Sequence, residues 1–321
     1  TGKLGFNQSG KTFFLNQRVG KFLPHEKLNK KYLYYILSTK VEENLNISKG
    51  AAQPNLSTKQ IKDIEFFLPP LPEQERIVAK LDTAFAEIDK AVEAEDAAAM
   101  NLSSLRSILY EQIIIQNCST YTEYTLKEIV SENCSLSYGI VQPGEDVPNG
   151  LPIVRPVDMH KKFINTKLLK RINPLIADGY KRTILEGNEL LMSVRGTTGI
   201  ISVTSDVLEG ANVTRGIIPI RFNSKLVERD FGYYAMLSHK IQKQISDATY
   251  GAALQQINVR DVKQIKIAIP AISEQKNIID ILSKIDKNLL LLERCSSQKM
   301  ANTNSLKSAI LSQELQSSEA A

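Results

Sequence analysis

The spacing of apolar positions divides the chain into two kinds of segment. Across residues 72–115, Ile77, Leu81, Ala84, Ile88, Ala91, Glu95, Ala98, Leu102, Leu105 and Leu109 alternate steps of four and three. That spacing predicts one helix with a coiled-coil seam over about five heptads, roughly 50 Å at 1.5 Å per residue. A second seam, Ile278, Leu282, Ile285, Leu289 and Leu292, opens after Ser273, whose hydroxyl suits a helix cap. Ser296, Lys299 and Thr303 interrupt it before Leu306 and Ile310 resume. An interrupted seam is a weak dimerisation device, so the two helices are expected to pair with each other, antiparallel. Their midpoints then meet near Glu95 and Ser296, with Lys299 one layer away. Such a polar layer costs stability and fixes register.

Between and before these helices the pattern shortens. Strand character runs over residues 61–68, 151–157, 189–194, 199–203 and 217–222, and short helices are expected at 30–40 and 230–246. Pro69, Pro70 and Pro72 stop the first of these strands and suit the opening of a helix. Residues 1–70 read as β-rich, and a loop rich in glycine and proline at 138–144 follows the opening of the central domain at 124–129. The fold class is α+β: part of one domain at 1–70, a long helix at 71–118, a complete domain at 119–271, a second long helix at 272–316 and a tail at 317–321.

The two halves repeat each other. Gly50-Ala51-Ala52-Gln53-Pro54-Asn55-Leu56 returns as Gly251-Ala252-Ala253-Leu254-Gln255-Gln256-Ile257. Ile61, Ile64, Pro69, Glu73, Gln74, Ile77 and Leu81 return 201 positions on as Val262, Ile265, Pro270, Glu274, Gln275, Ile278 and Leu282. Tyr34-Tyr35 returns as Tyr233-Tyr234 with a small slip. A period this long is no solenoid, whose units are several-fold shorter. It is a duplicated domain with a duplicated helix, which presents two similar binding surfaces. The first copy lacks roughly 120 residues that precede its counterpart, so the chain is expected to be the remainder of a longer protein.

Composition narrows the function. Of 321 residues 42% are apolar, with no uninterrupted run able to span a bilayer. Cys118, Cys134 and Cys295 are odd in number and lack metal spacing, which fits reduced thiols in the cytoplasm. Residues 1–40 carry eight Lys/Arg against Glu26, and residues 151–200 carry nine against four acids. The helix at 72–115 carries four bases against nine acids. Basic lobes beside an acidic rod imply a polyanion held by the lobes.

Catalytic chemistry is hard to find. Gly5-Phe6-Asn7-Gln8-Ser9-Gly10-Lys11-Thr12 matches the phosphate-loop pattern, but that loop works only between a buried strand and a helix start. Only four residues precede it and no helical period follows, so the match is a coincidence. No GxGxxG, CxxC or methyltransferase motif occurs, and His25, His160 and His239 are scattered, so no metal or cofactor site is expected. Asp261-Val262-Lys263 lacks a second acid and reads as a surface turn. More informative are Arg195, Thr197 and Thr198 around Gly196, and Gln255, Gln256 and Asn258 beside Gly251. Arg reads guanine, and Asn or Gln reads adenine, through paired hydrogen bonds in the major groove. Lys161, Lys162, Arg171, Lys181 and Arg182 are the candidate phosphate contacts.

The duplication, the Gly-Ala-Ala loops, Pro-x-x-x-Glu-Gln before each long helix, and Gly187-Asn188-Glu189-Leu190-Leu191 with Arg195-Gly196 and Gly199 together resemble the specificity subunit of a type I restriction-modification enzyme. The resemblance covers nearly the whole chain. It implies two target-recognition domains that each read half of a split double-stranded DNA site, and helices that pair as a spacer through Ile77, Leu81, Ile88, Glu95, Leu102, Ile278, Leu282, Ile285, Leu289 and Lys299. It also implies two flanking modification subunits that bring S-adenosylmethionine and methylate adenine, and a separate motor subunit that cleaves. The specificity subunit has no active site of its own. The first recognition domain starts at what matches Arg195 of the second, which leaves most of its DNA-reading part outside the sequence. The alternatives are a coiled-coil scaffold that ignores DNA, which a salt-dependent DNA shift separates, and a phosphate-loop ATPase, which nucleotide titration excludes.

Overall fold

The computed structural model describes residues 4–7, 9–17, 19–40, 58–118 and 120–317. The chain forms two compact units, one of Thr1–Ala99 with Glu293–Ala321 and the other of Met100–Leu292. Two helices of 46 residues, Leu71–Gln116 and Ile272–Ser317, contribute a stretch to each unit.

In the first unit the helix Lys30–Thr39 is capped by Asn29, whose Oδ1 accepts from Lys31 N at 2.9 Å and Tyr32 N at 3.2 Å. Its buried Tyr32, Tyr35 and Ile36 pack on Ile77, Val78, Leu81, Phe85 and Ile88 of the first long helix and on Leu315 of the second. The long helices run antiparallel here. Lys80 Nζ lies 2.6 Å from Glu314, Lys307 Nζ 2.8 Å from Asp89, and Glu95 accepts from Ser296 Oγ at 2.9 Å with Lys299 Nζ at 3.4 Å.

The buried stripe departs from the four-three seam. Ala91, Ala98 and Leu105 are exposed, while Val92, Glu95, Leu102 and Arg106 are half-buried and Tyr110 and Ile113 are buried. A straight helix of 3.6 residues per turn drifts by about 20° per heptad from a 3.5 repeat, which carries these three positions off the contact face. Leu292 and Leu306 are exposed for the same reason, and Glu293 and Lys307 lie half-buried in their place. Ser273 is no cap, because it lies inside a helix that already begins at Ile272.

The first 70 residues are not β-rich. Among the described residues the segment holds the helices Lys30–Thr39 and Thr58–Lys62 and no strand. The expected strand at 61–68 fails because a strand needs a hydrogen-bonding neighbour. The corresponding segment of the second copy pairs with Tyr121–Thr125, and no described residue of the first unit takes that place. The Gly50–Leu56 loop lies outside the described residues.

Among its described residues the second unit holds eight strands. β1 (Tyr121–Thr125) pairs antiparallel with β8 (Lys266–Pro270). β2 (Leu151–Val154) lies between antiparallel β3 (Lys170–Ile172) and parallel β6 (Asn212–Val213). β4 (Leu190–Ser193) is flanked by antiparallel β5 (Ile201–Val203) and β7 (Ile217–Ile220). All residues of β4, β5 and β7 are buried, which is why their sequences are mostly apolar without an alternating pattern, the exceptions being the buried Ser193 and Ser202. The helix expected at 230–246 is two, Arg229–Leu237 and His239–Asp247, broken at Ser238 with φ −64° and ψ 153°. Gln242 Nε2 donates to Met236 O at 2.8 Å, a carbonyl freed at the break, and to Gly199 O at 3.1 Å in the loop before β5.

The long helices are antiparallel in this unit too. Tyr110 Oη donates to Asp286 at 2.6 Å, and Tyr110, Ile113 and Ile114 share one core with Ile278 and Leu282. The resulting architecture is α+β, with small sheets and a pair of long helices.

Candidate nucleic-acid interface

The end of β4 builds the site. Val194 N donates to Gly216 O at 2.8 Å, Ile257 N donates to Val194 O at 3.0 Å, and Gly196 N donates to Gln255 O at 2.9 Å. These bonds place Arg195 opposite Gln256 in an antiparallel bridge. Gln256 also bridges Tyr250, with backbone bonds of 2.9 and 2.8 Å in the two directions. The turn between them depends on Gly251, where φ is +104° and a Cβ would stand 2.3 Å from Leu254 O. A chain of backbone bonds therefore gathers residues from three loops.

Around this frame lies a cleft lined by Tyr138, Val194, Arg195, Arg215, Tyr250, Gln256 and Asn258. Tyr138 reaches it because Gly139 sits against the backbone of Val213, where a Cβ would lie 1.9 Å from the carbonyl oxygen. Its hydroxyl donates to Ile257 O at 3.1 Å and accepts from Val259 N at 3.2 Å. Tyr250 Oη donates to Asn258 Oδ1 at 2.7 Å. The cleft thus presents two fixed aromatic rings, two guanidinium groups and two amides, with no acid among its lining residues.

Of the base-reading candidates, Arg195, Gln256 and Asn258 come together in this cleft. Gln255 is exposed on the adjoining strand edge. Thr197 uses its carbonyl to accept from Ser193 Oγ at 2.6 Å, and Thr198 Oγ1 shares a 2.9 Å hydrogen bond with Thr249 Oγ1, so both shape the loop. Arg215, Tyr138 and Tyr250 were not singled out in the sequence. The one available signal was Arg215-Gly216, which repeats the Arg195-Gly196 pair beside another apolar strand.

The phosphate-contact candidates stand apart, and none lines the cleft. Lys161, Lys181 and Arg182 are exposed. Arg171 is exposed but donates to Gly150 O at 3.0 Å. Lys162 differs. Its ammonium sits 4.5 Å from the Tyr233 ring centre, 4.7 Å from that of Tyr234 and 3.3 Å from the Tyr234 hydroxyl. Burial pushes its pKa down. Cation–π contact and partial desolvation hold the Lys162 ammonium against the protein, which sets it apart from the four exposed candidates. Its neighbour Lys161 projects outward while its carbonyl accepts from Ser202 Oγ at 2.9 Å.

Other chemistry is missing among the described residues. No group of three or more His, Cys, Asp or Glu could hold a metal ion, and no helix is long and apolar enough to cross a membrane. The described part of the phosphate-loop match has neither a strand before it nor a helix after it. Asp261-Val262-Lys263 lies in the short helix Val259–Lys263.

The family model for the type I restriction modification DNA specificity domain matches residues 2–95 and 119–299. The EcoBI specificity subunit of Escherichia coli is 25% identical over 92% of this chain and 67% of its own length. The MjaVIII specificity subunit of Methanocaldococcus jannaschii is 21% identical over 84% of this chain and 66% of its own. The chain spans about two thirds of the length of these relatives. A structure solved for the complex assembly and conformational transition of the type I restriction-modification system matches 90% of this chain and 72% of its own with a TM-score of 0.56 at 19% identity. The duplicated α+β plan, the paired long helices and the family match over both copies agree: the chain belongs to the type I restriction-modification DNA specificity subunits, the non-catalytic members of that enzyme system.

Proposed function

We propose that the second unit reads one half of a two-part DNA site through the Arg195–Gln256 cleft, while the paired helices hold the chain to its partner subunits. The observation that carries this is the bridge itself. It sets a guanidinium and an amide side by side on a rigid backbone, with Asn258 in the same cleft. Arg and Gln are the side chains whose paired hydrogen bonds discriminate guanine and adenine in the major groove. Lys161, Lys181, Arg182 and Arg171 supply sequence-independent attraction to phosphates. Two modification subunits, carrying S-adenosylmethionine, and a motor subunit act on the DNA so held. Leu105, Ile108 and Leu291 are 62%, 40% and 57% exposed on the helix pair, and they offer the modification subunits an apolar surface.

The test is a binding series on the chain co-purified with its modification subunits. Replacing Arg195 or Gln256 with Ala is expected to relax preference at one base pair, at a cost of roughly 1–3 kcal/mol. Replacing Lys181 or Arg182 is expected to weaken binding to all duplexes alike and to lower the salt slope by about one. Uniform loss from every substitution overturns the assignment of readers.

A further inference from the structure

The geometry points to Arg215 as a second specificity-determining residue, one that reads a guanine in the half-site held by this unit. The inference rests on the cleft being the reading surface and adds a base class to it.

Arg215 stands in the turn between β6 and β7, and that turn is fixed on every side. Thr214 N donates to Val154 O at 3.0 Å, Arg215 N to Ile140 O at 2.8 Å and Ile217 N to Thr214 O at 3.0 Å, while Gly216 O accepts from Val194 N at 2.8 Å. Gly216 packs so closely that a Cβ there would lie 2.7 Å from Pro156 Cγ and 3.7 Å from Arg195 Cβ. The backbone of Arg215 is therefore held beside that of Arg195, and the position of its side-chain root is not adjustable.

Two guanidinium groups beside each other repel unless an anion or a strong acceptor lies between them. Two other arginines of this unit that lie beside acids are paired with them. Arg155 holds Asp158 at 3.0 Å, and Arg221 holds Glu186 at 2.8 Å and Glu189 at 2.7 Å. Arg195 and Arg215 instead share a cleft whose lining holds no carboxylate. A phosphate needs only charge, which mobile lysines on an exposed loop provide. A pinned arginine on the rim of a cleft, walled by Tyr138 and Tyr250, suits an acceptor pair at a defined position. Guanine O6 and N7 are that pair in the major groove.

The experiment selects binding sites from a pool of randomised duplex DNA. It uses the full chain complexed with its modification subunits, as wild type and as Arg215→Ala, Arg215→Lys and Arg195→Ala. The wild-type site is expected to contain a guanine whose preference falls about 5- to 150-fold in Arg215→Ala. Arg215→Lys keeps the charge but not the two-pronged geometry, so it is expected to lose most of that preference while retaining the salt slope. Loss of affinity without change of the selected sequence, rescued by Arg215→Lys, makes Arg215 a phosphate contact and overturns this inference. If Arg195→Ala still relaxes one base pair in that case, the proposed reading surface stands without Arg215. If no variant alters the selected sequence, the cleft itself is not the reader. Arg215 is exposed, and an unchanged melting temperature confirms that each variant is folded.

Discussion

Glu189 is fully buried immediately before β4, at the opposite end of that strand from Arg195, and its carboxylate accepts four hydrogen bonds. It accepts from Glu186 N at 2.6 Å, Asn188 N at 3.0 Å, Thr204 Oγ1 at 3.0 Å and Arg221 at 2.7 Å. Replacing Glu189 with Gln removes the charge and, whichever way the amide turns, sets its NH₂ group against donors that one carboxylate oxygen now accepts from: Arg221 and Glu186 N, or Asn188 N. Breaking a buried pair from one side costs about 3–5 kcal/mol. For a unit of this size, that lowers the melting temperature by roughly 6–20 °C. The pH dependence is the sharper assay. Burial works to raise the carboxyl pKa, but the hydrogen bonds from Arg221 and the Glu186 N–H outweigh it and hold the value below the usual range. A native pKa depressed below the unfolded value of about 4.3 contributes stability that is present above that pH and lost as pH falls through the native value. Urea midpoints from pH 6 down to pH 3 are therefore expected to fall more steeply for the wild type than for Glu189→Gln. Parallel slopes would show that this carboxylate is not linked to folding.

Two further predictions follow from the same geometry. Gln74→Ala and Gln275→Ala each remove a buried amide that makes three hydrogen bonds at a helix start, and each is expected to lower stability by about 2–5 kcal/mol, measured by chemical denaturation. Lys162→Met is expected to leave the salt slope of DNA binding unchanged, whereas Lys161→Ala lowers it by about one; equal effects on the slope would return Lys162 to the DNA-facing surface.

The sequence carries the long helices well and their contact face less well. A four-three pattern of apolar residues exists on paper from Ile77 to Leu109, but Ala and Leu at every third or fourth place cannot show which face drifts outward. The exposed Ala91, Ala98 and Leu105 mark where that pattern and the real stripe separate. Strand character at 61–68 is real as composition and insufficient as structure, because pairing is a property of two segments and no partner is described beside it. The cleft was half visible. Arg195, Gln256 and Asn258 stood out as polar residues beside glycines. Arg215 did not, because its value comes from a turn whose closeness to Arg195 is set by backbone bonds to Val194 and Ile140. The setting of Lys162 is hidden for a related reason: a lysine beside another lysine reads as surface charge, and the tyrosines its ammonium stands over are more than 70 positions away in sequence.

The glutamines explain what the duplication preserves. Gln74 accepts from Asn29 N at 2.8 Å and donates to Lys27 O at 2.9 Å and Pro69 O at 2.8 Å. Gln275 accepts from Glu228 N at 2.8 Å and donates to Leu226 O at 2.8 Å and Pro270 O at 2.9 Å. Each side chain is fully buried and ties three things together: the first turn of a long helix, the proline that ends the preceding segment, and the entry to the short helix carrying the tandem tyrosines. An amide does this without the desolvation penalty of a charge, and its bonds are directional where apolar packing is not. On the proposed reading, in which each copy holds one half-site, the recognition surfaces are free to differ while each copy is set on its helix in the same way. The amide lock makes the same three bonds in both copies, and its glutamine is among the residues that return unchanged after 201 positions, with the proline it bonds to.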